Sequence, residues 1–198
     1  MSFNIEDHID WQDLIRQIGP LLPGNIEPHT PRGFRCAAVV VPLVMVEEDI
    51  FVLFTKRTAT VHDHQNQMSF PGGACESEDR TILETALREM NEEIGVSIPL
   101  NAVLGALEPR KTVTGYFITP FVAMIVSLAN MKLNRHEVEK VLLVPLNWLS
   151  DPNNHFIQPY SREGAKIEDV IFFLPYQEET IWGITAEIVM DLVNLIKI

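Results

Sequence analysis

The sequence predicts an α/β fold in which helices cover both faces of one β-sheet. Runs rich in β-branched and aromatic residues recur along the chain, whereas two segments, 81–93 and 180–196, carry apolar residues at helical spacing. The strongest strand pattern lies at Arg35–Val46 and is followed by a second apolar run at 50–56. The acidic stretch 47–49 separates these two runs, which predicts a β-hairpin.

The segment before this hairpin is predicted to form a helix and a connector. Residues 6–18 carry a helical apolar stripe, and a proline-rich stretch follows up to residue 31. We find no internal repeat or long linker in the sequence. We therefore expect a single domain over residues 1–198, in which 1–34 precede a core of 35–198.

The remaining elements follow from local patterns. In the segment 81–93, Thr81 and Glu84 have the spacing of a capping box, and Gly95 is a typical C-terminal stop. Its apolar stripe comprises Leu83, Leu87, Met90 and Ile94. The stripe of the C-terminal helix comprises Ile184, Ile188, Leu192 and Leu195, and Trp182 at its start is expected in the core. Further strands are expected at 68–70, 102–107, 116–128, 138–144 and 170–174, with a turn or short helix at 147–150.

The charge of the chain limits its partners. It carries 15 Lys and Arg residues but 27 Asp and Glu residues, a formal net charge of −12. Such a charge disfavours nucleic-acid binding, which uses a basic surface. An anionic small molecule would need a cation beside it in order to bind this protein.

The two cysteines predict no disulfide framework. Cys36 lies in an apolar run and is expected to be a buried thiol, and a reducing, cytoplasmic location fits this composition. The acidic N-terminus lacks the pattern of a signal peptide, and no apolar run has the length of a transmembrane helix. We therefore expect no membrane association.

Three carboxylates in the central helix indicate a metal site. Glu89, Glu92 and Glu93 lie within five positions, and Gly72 and Gly73 precede the helix. Glu89 and Glu93 are one helical turn apart, so their charges repel each other on one face. A divalent cation would offset this repulsion, and Mg²⁺ is typically held by one or two carboxylates plus substrate phosphates. The glycines favour this hypothesis over a solvated helix face, because they let backbone carbonyls approach an ion.

The central stretch resembles the Nudix box, the signature of diphosphate hydrolases, through Arg88-Glu89-x-x-Glu92-Glu93-x-Gly95-Val96 placed after Gly72-Gly73. Asp79 occupies the acidic position, with eight residues between it and Arg88. This spacing is similar to that of the coenzyme A diphosphatase branch, as are Phe54-Thr55-x-Arg57 and Phe70-Pro71-Gly72-Gly73. Segments 112–120 and 182–186 resemble bacterial members of that branch.

Three positions depart from the upstream signature of that branch. Thr58 stands where serine or alanine is usual, His62 where arginine is usual and Asn66 where glycine is usual. The change at His62 removes a permanent charge that could contact a phosphate. Another nucleoside diphosphate derivative, such as a dinucleotide or nucleotide sugar, therefore stays open as the substrate, as does a non-catalytic nucleotide-binding module.

The resemblance implies a Nudix fold, with a mixed sheet between helices, and metal-assisted hydrolysis of a diphosphate with Mg²⁺ or Mn²⁺. It implies that Glu89 and Glu93 hold the ion, with the Gly73 carbonyl as a further ligand. Glu92 would bind a second ion or accept a proton from water. Glu137, from a later loop, would add another acid.

The implied substrate is coenzyme A or a derivative, which would be cleaved to adenosine 3′,5′-bisphosphate and 4′-phosphopantetheine or its acyl form. The candidate substrate contacts are Arg57, Phe70, Thr114, Gly115 and Tyr116. Arg57 could meet a phosphate, and Tyr116 could stack on a base or pack in the core. Arg88 would orient the glutamates through ion pairs. A homodimer is left open.

Overall fold

The computed structural model describes residues 30–58, 67–162 and 165–196, which form ten strands and three helices. The strands are β1 (Arg35–Val46), β2 (Asp49–Arg57), β3 (Met68–Ser69), β4 (Gly72–Ala74), β5 (Val103–Ala106), β6 (Arg110–Lys111), β7 (Tyr116–Ile125), β8 (Val138–Pro145), β9 (His155–Arg162) and β10 (Ala165–Phe173). The helices are α1 (Ile82–Ile94), α2 (Leu146–Ser150) and α3 (Gly183–Ile196), and 3-10 turns lie at Leu100–Ala102 and Pro152–Asn154. The expected helix at 6–18, His62 and Asn66 lie outside the described residues.

Strand β1 is the centre of an eight-stranded mixed sheet. It runs parallel to β7 along one edge and antiparallel to β2 and β4 along the other. The β2 pairing uses the C-terminal half of β1, where Leu43 lies opposite Val52, and the β4 pairing uses its N-terminal half, where Ala38 lies opposite Gly73. Strands β3 and β8 extend the sheet beyond β2, and β5 and β6 extend it beyond β7. The strands β9 and β10 form a separate antiparallel hairpin.

Helices cover both faces of this sheet, as the sequence predicts. Because side chains alternate along a strand, Ala38 and Val40 of β1 pack with α1, whereas Val41 and Leu43 pack with α3. Each face therefore has its own apolar core, and the expectation of an α/β fold is confirmed. Within the described ranges, no helix has the length and apolar character needed to cross a membrane.

The caps of α1 explain where this helix begins and ends. The Thr81 hydroxyl accepts a hydrogen bond from the Glu84 N–H at 3.1 Å. The Glu84 carboxylate accepts from the Arg80 N–H instead of the Thr81 N–H, so the capping box is only half formed. Gly95 has a φ of 68° and donates its N–H to the Asn91 carbonyl, which is the left-handed end that its sequence position predicts.

The expectation of no disulfide was wrong, because Cys36 and Cys75 form one, with 5.3 Å between their Cα atoms. Strand β4 runs antiparallel to β1 in a register that places Ala37 opposite Ala74. The next pair in this register is Cys36 and Cys75, and the Cys75 N–H donates to the Cys36 carbonyl at 3.1 Å. The bond ties the glycine strand to the centre of the sheet.

The β9–β10 hairpin was largely missed by the sequence analysis. Only 170–174 was expected as a strand, whereas β10 begins at Ala165 and β9 was not predicted at all. Strand β9 contains Pro159 and lacks a regular alternation of apolar and polar residues. Proline within a strand is typical of sheet edges, and both strands of this hairpin are edges.

The buried face of α3 differs from the predicted stripe at one position. Ile188 and Leu192 are buried as expected, but Leu195 is 38% exposed and Ile196 is buried in its place. The helix therefore presents Ile188, Leu192 and Ile196, each four residues apart, to the sheet.

We expect Leu192→Ala to lower the free energy of unfolding by about 2–5 kcal/mol, because it leaves a cavity in a closed apolar core. Leu195→Ala, on the same helix, should lower it by less than about 1 kcal/mol. Urea denaturation of both variants measures this difference. Equal losses at the two positions would contradict the packing of α3 described above.

Candidate active site

A cavity of about 360 Å³ lies between the main sheet and the β9–β10 hairpin. Its lining on the sheet side comes from β1, β4 and β7, and on the other side from the hairpin and the start of α3. The Thr185 hydroxyl donates to the Met68 carbonyl at 3.2 Å, which holds the first turn of α3 against β3. The volume lies within the range of small-molecule sites.

Glu93 is a buried carboxylate with few partners. Its side chain projects from the last turn of α1 toward β4, and the residue is 2% exposed. One carboxylate oxygen accepts a hydrogen bond from the Gly72 N–H at 3.3 Å, and Nη1 of Arg57 lies 3.8 Å from the other. Burial raises the pKa of Glu93 to about 8, although Arg57 and the Gly72 N–H act in the opposite direction. A nearby cation would stabilise the ionised form.

Glu89 lies against Gly73, one turn earlier on α1. A Cβ atom on Gly73 would lie 2.4 Å from the carboxyl carbon of Glu89 and 2.5 and 2.6 Å from its oxygens. Any larger residue at position 73 would therefore displace this carboxylate. Burial raises the pKa of Glu89, Arg88 lowers it, and the charges of Glu92 and Glu137 add to the increase.

Arg88 connects the carboxylates of Asp79, Glu89 and Glu92, which form the outer side of the carboxylate cluster around Glu93. Its Nε and Nη2 donate to the two oxygens of Asp79, both at 3.0 Å. Its Nη1 donates to Glu89 at 3.0 Å and Glu92 at 3.2 Å, and Nη2 also reaches the Ala74 carbonyl. The hydrogen bonds from Arg88 are the main cause that lowers the pKa of Asp79 to about 2. The sequence analysis identified the pairs with the glutamates but gave Asp79 no role in holding the arginine.

Glu137 lies close enough to this cluster to raise the pKa of both Glu89 and Glu93. Two contacts position its loop. The Asn134 N–H donates to the Glu93 carbonyl at 2.8 Å, and the Asn134 side chain donates to the Glu137 carboxylate at 3.1 Å. The Thr58 N–H donates to the Glu137 carbonyl at 2.9 Å, so the end of β2 supports the same loop.

The oxygen donors of this cluster fit a hard divalent cation. Among the residues that the structure describes, no three His, Cys, Asp or Glu side chains converge closely enough to hold a metal by themselves. Mg²⁺ does not need such a cage, because it typically takes one or two carboxylates and completes its shell with water and phosphate oxygens. Glu89 and Glu93 are two such carboxylates, and the more exposed Glu92 shares Arg88 with Glu89.

Some of the predicted substrate contacts line the cavity, and others hold the lining residues in place. Arg57, Thr114 and Tyr116 line the cavity. Phe70 also lines it, but the residue is 3% exposed and its ring stacks on another core ring, so it supports the floor. Gly115 is not part of the lining, and with a φ of 83° it forms the turn that carries its two neighbours.

Several cavity residues were not predicted from the sequence. Trp182 was expected in the core, but it is only half-buried and lines the cavity, as do Tyr160, Ile167 and Val170 of the hairpin. The ring centroids of Trp182 and Tyr160 are 4.7 Å apart. No sequence pattern marks Tyr160, Ile167 or Val170, and the resemblance at 182–186 does not place Trp182 in a cavity, because these residues meet only when the hairpin lies over the sheet.

The raised pKa of Glu93 predicts a pH dependence of stability without metal. The folded state binds the Glu93 proton more tightly than the unfolded state, so stability should fall as the pH rises from about 4.5 to about 8. Glu93→Gln should remove the contribution of Glu93 protonation to the free energy of unfolding. In denaturation experiments with EDTA, we therefore expect the value for the wild type minus that for the variant to decrease as the pH rises through this window. A difference that is independent of pH would contradict the burial of Glu93.

The contact of Gly73 with Glu89 predicts a non-additive pair of substitutions. Gly73→Ala should destabilise the protein by about 1 kcal/mol, because its methyl group displaces the Glu89 carboxylate from the end of a flexible side chain. In a Glu89→Ala background the same change should cost much less, since the overlapping group is gone. A double-mutant cycle in urea measures this coupling, and equal costs in both backgrounds would rule out the contact.

Comparisons with known proteins agree with this geometry. Residues 34–187 match the NUDIX domain profile. The chain is 34% identical to the uncharacterized Nudix hydrolase NudL of Photorhabdus laumondii, over 83% of this chain and 86% of the relative. It is 33% identical to the corresponding protein of Pectobacterium atrosepticum, over 91% of each.

A solved structure supports the fold independently. The MutT/nudix family protein from Enterococcus faecalis aligns with a TM-score of 0.60 at 18% identity, over 83% of this chain and 62% of that chain. The solved structure thus shows the same fold, and the sequence matches show the family. The chain therefore belongs to the Nudix hydrolase family and is an enzyme that acts on phosphoric anhydride bonds, as in nucleoside diphosphate derivatives, with the divalent metal ions that these hydrolases generally use.

Proposed function

We propose that this enzyme is a Mg²⁺- or Mn²⁺-dependent diphosphatase of coenzyme A or its derivatives. The products would be adenosine 3′,5′-bisphosphate and 4′-phosphopantetheine or its acyl form. The observation that carries the proposal is the position of Arg57, which lines the cavity and lies 3.8 Å from the buried carboxylate of Glu93. A phosphate that contacts Arg57 would lie beside the carboxylate cluster.

The roles of the acids follow from their surroundings. Glu89 and Glu93 would hold the ion, with the Gly73 carbonyl as a further ligand, because Glu93 is buried with few partners and the charge of Glu89 acts on it. When bound, a divalent ion would neutralise the diphosphate and polarise its phosphorus. Glu92 is 52% exposed and would take the proton of the attacking water or bind a second ion. Glu137 is the further candidate for proton transfer.

The choice of coenzyme A rests on the upstream sequence signature and its position at the cavity. Arg57, Phe70 and Gly73 belong to that signature, and all three line the same space as Thr114 and Tyr116. We propose direct contacts from Arg57, Thr114 and Tyr116, with Phe70 and the Gly115 turn in support. Substrate selection would then lie beside the carboxylate cluster, chiefly in the loop and strand that carry Thr114 and Tyr116.

We also propose that the whole chain acts as one domain in the cytoplasm. The Cys36–Cys75 disulfide would be opened there by the cellular thiol pool. Alkylation of both thiols at the moment of cell lysis, followed by mass spectrometry, would test this location. Recovery of only the disulfide-bonded form would count against it.

Glu93→Gln should lower kcat/KM by at least about a hundredfold, because it replaces an ionisable ligand with a neutral amide. Glu84→Gln is the matched control, since it lies on the same helix, outside the carboxylate cluster, and should leave activity close to that of the wild type. Steady-state assays with Mg²⁺ and with Mn²⁺ measure the effect. Full activity of the Glu93 variant would refute its role as a ligand.

The substrate is tested by incubating the protein with coenzyme A, NADH and ADP-ribose and identifying the products. Phosphopantetheine should appear fastest. Faster turnover of either other compound would favour a different nucleoside diphosphate derivative, and no turnover of any compound would favour a nucleotide-binding module.

A further inference from the structure

The cavity has one wall that differs in character from the side that Arg57, Gly72 and Gly73 form. This aromatic wall comprises Tyr160, Ile167, Val170, Trp182 and Ile184, from the β9–β10 hairpin and the start of α3. We propose that the aromatic wall is a subsite for the uncharged pantetheine arm of the substrate and for an acyl group on its sulfur. This inference rests on the proposed coenzyme A activity and assigns one half of that substrate to one part of the cavity.

The aromatic wall consists of five residues without a charged side chain. Tyr160 lies opposite Ile167 in the register of the hairpin, and the centroids of the Tyr160 and Trp182 rings are 4.7 Å apart. Val170 and Ile184 line the same cavity. A flexible arm with few charges would bury apolar area there, which is the main source of affinity in such sites.

The charged residues that line the cavity do not belong to the aromatic wall and have partners outside it. Among the described lining residues they are Arg57, Lys111 and Glu187. Arg57 faces the buried carboxylate of α1, and Glu187 accepts a hydrogen bond from Arg110 at 3.4 Å. Nζ of Lys111 lies 5.4 Å from the centre of the Phe34 ring. A phosphorylated ribose placed on the aromatic wall would therefore lose water without gaining a charged partner from it.

The two rings of the aromatic wall pack on each other and on the Phe172 ring. The Trp182 ring lies parallel to the Phe172 ring, with 5.5 Å between the ring centroids. The Tyr160 ring is tilted by 48° against the Trp182 ring. The nearby Thr185 hydroxyl is already bonded to the Met68 carbonyl. A nucleobase needs a flat open slot and polar partners for its edge, whereas an alkyl or amide chain needs only apolar contact. This packing favours the arm over the base.

The edge of the cavity that faces solvent also carries an apolar side chain. Val113 lines the cavity and is 82% exposed, on the loop between β6 and β7. The Thr112 hydroxyl accepts a hydrogen bond from the Tyr116 N–H at 2.9 Å, which closes this loop into a turn. An acyl chain longer than the wall would meet this valine at the edge of the cavity.

The experiment compares octanoyl-coenzyme A with ADP-ribose, which shares the diphosphate but lacks the arm. In Trp182→Ala, the ratio of kcat/KM values, octanoyl-coenzyme A over ADP-ribose, should fall about tenfold or more, because one large apolar contact is worth at least that factor. Ile167→Gln should shift the ratio in the same direction if Trp182→Ala does not fold. Ile157→Ala is the control, since this side chain is 61% exposed on the same hairpin and does not line the cavity. An unchanged or increased ratio in the folded variants would overturn the inference.

A second measurement separates this inference from the proposed function. Octanoyl-pantetheine has the arm without any nucleotide, and its binding to the wild type is measured by calorimetry. Binding that weakens about tenfold in Trp182→Ala supports the subsite, even if coenzyme A is not hydrolysed and the proposed function fails. No binding at millimolar concentration, with coenzyme A still hydrolysed, would overturn the subsite and leave the proposed function intact.

Discussion

The burial of the Glu93 carboxylate is the constraint on which the rest of the site depends. An ionised carboxylate removed from water is stable only where cations or N–H donors replace the solvent. The Gly72 N–H and Arg57 supply part of this stabilisation, from two different strands of the main sheet. Glu89 adds a second negative charge beside it. The site is therefore built with an excess of negative charge that a divalent cation would balance.

The outer acids are balanced in a different way. Arg88 binds Asp79, Glu89 and Glu92 together and also reaches a carbonyl of β4. A guanidinium keeps its charge at any physiological pH, so Arg88 permanently offsets one of these three negative charges. The remaining negative charge would be balanced by the proposed divalent ion. Thus a chain with a net charge of −12 can accept an anionic diphosphate.

The chemistry and the proposed selectivity lie on separate parts of the fold. The proposed ion ligands Glu89 and Glu93 belong to α1 and lie beside the main sheet, whereas the aromatic wall belongs to the second sheet and the start of α3. Several polar contacts hold these parts together, among them that of Arg110 on β6 with Asp191 on α3. Thr185 bonds to β3, and Glu179, shortly before α3, binds Lys56 at 2.9 Å and Lys140 at 2.8 Å. Changes in the hairpin could therefore alter the substrate without disturbing the carboxylates.

The sequence by itself determined the features that depend on neighbours along the chain. The β1–β2 hairpin, the caps and buried face of α1 and the grouping of its glutamates follow from periodicity and local hydrogen bonding. Only the tertiary structure decided the pairing of Cys36 with Cys75, the approach of Arg57 to Glu93 and the place of Trp182 in the cavity wall. Each of these joins segments that are distant in sequence. Their contacts depend on strand register and on how the second sheet lies over the first, which no local pattern encodes.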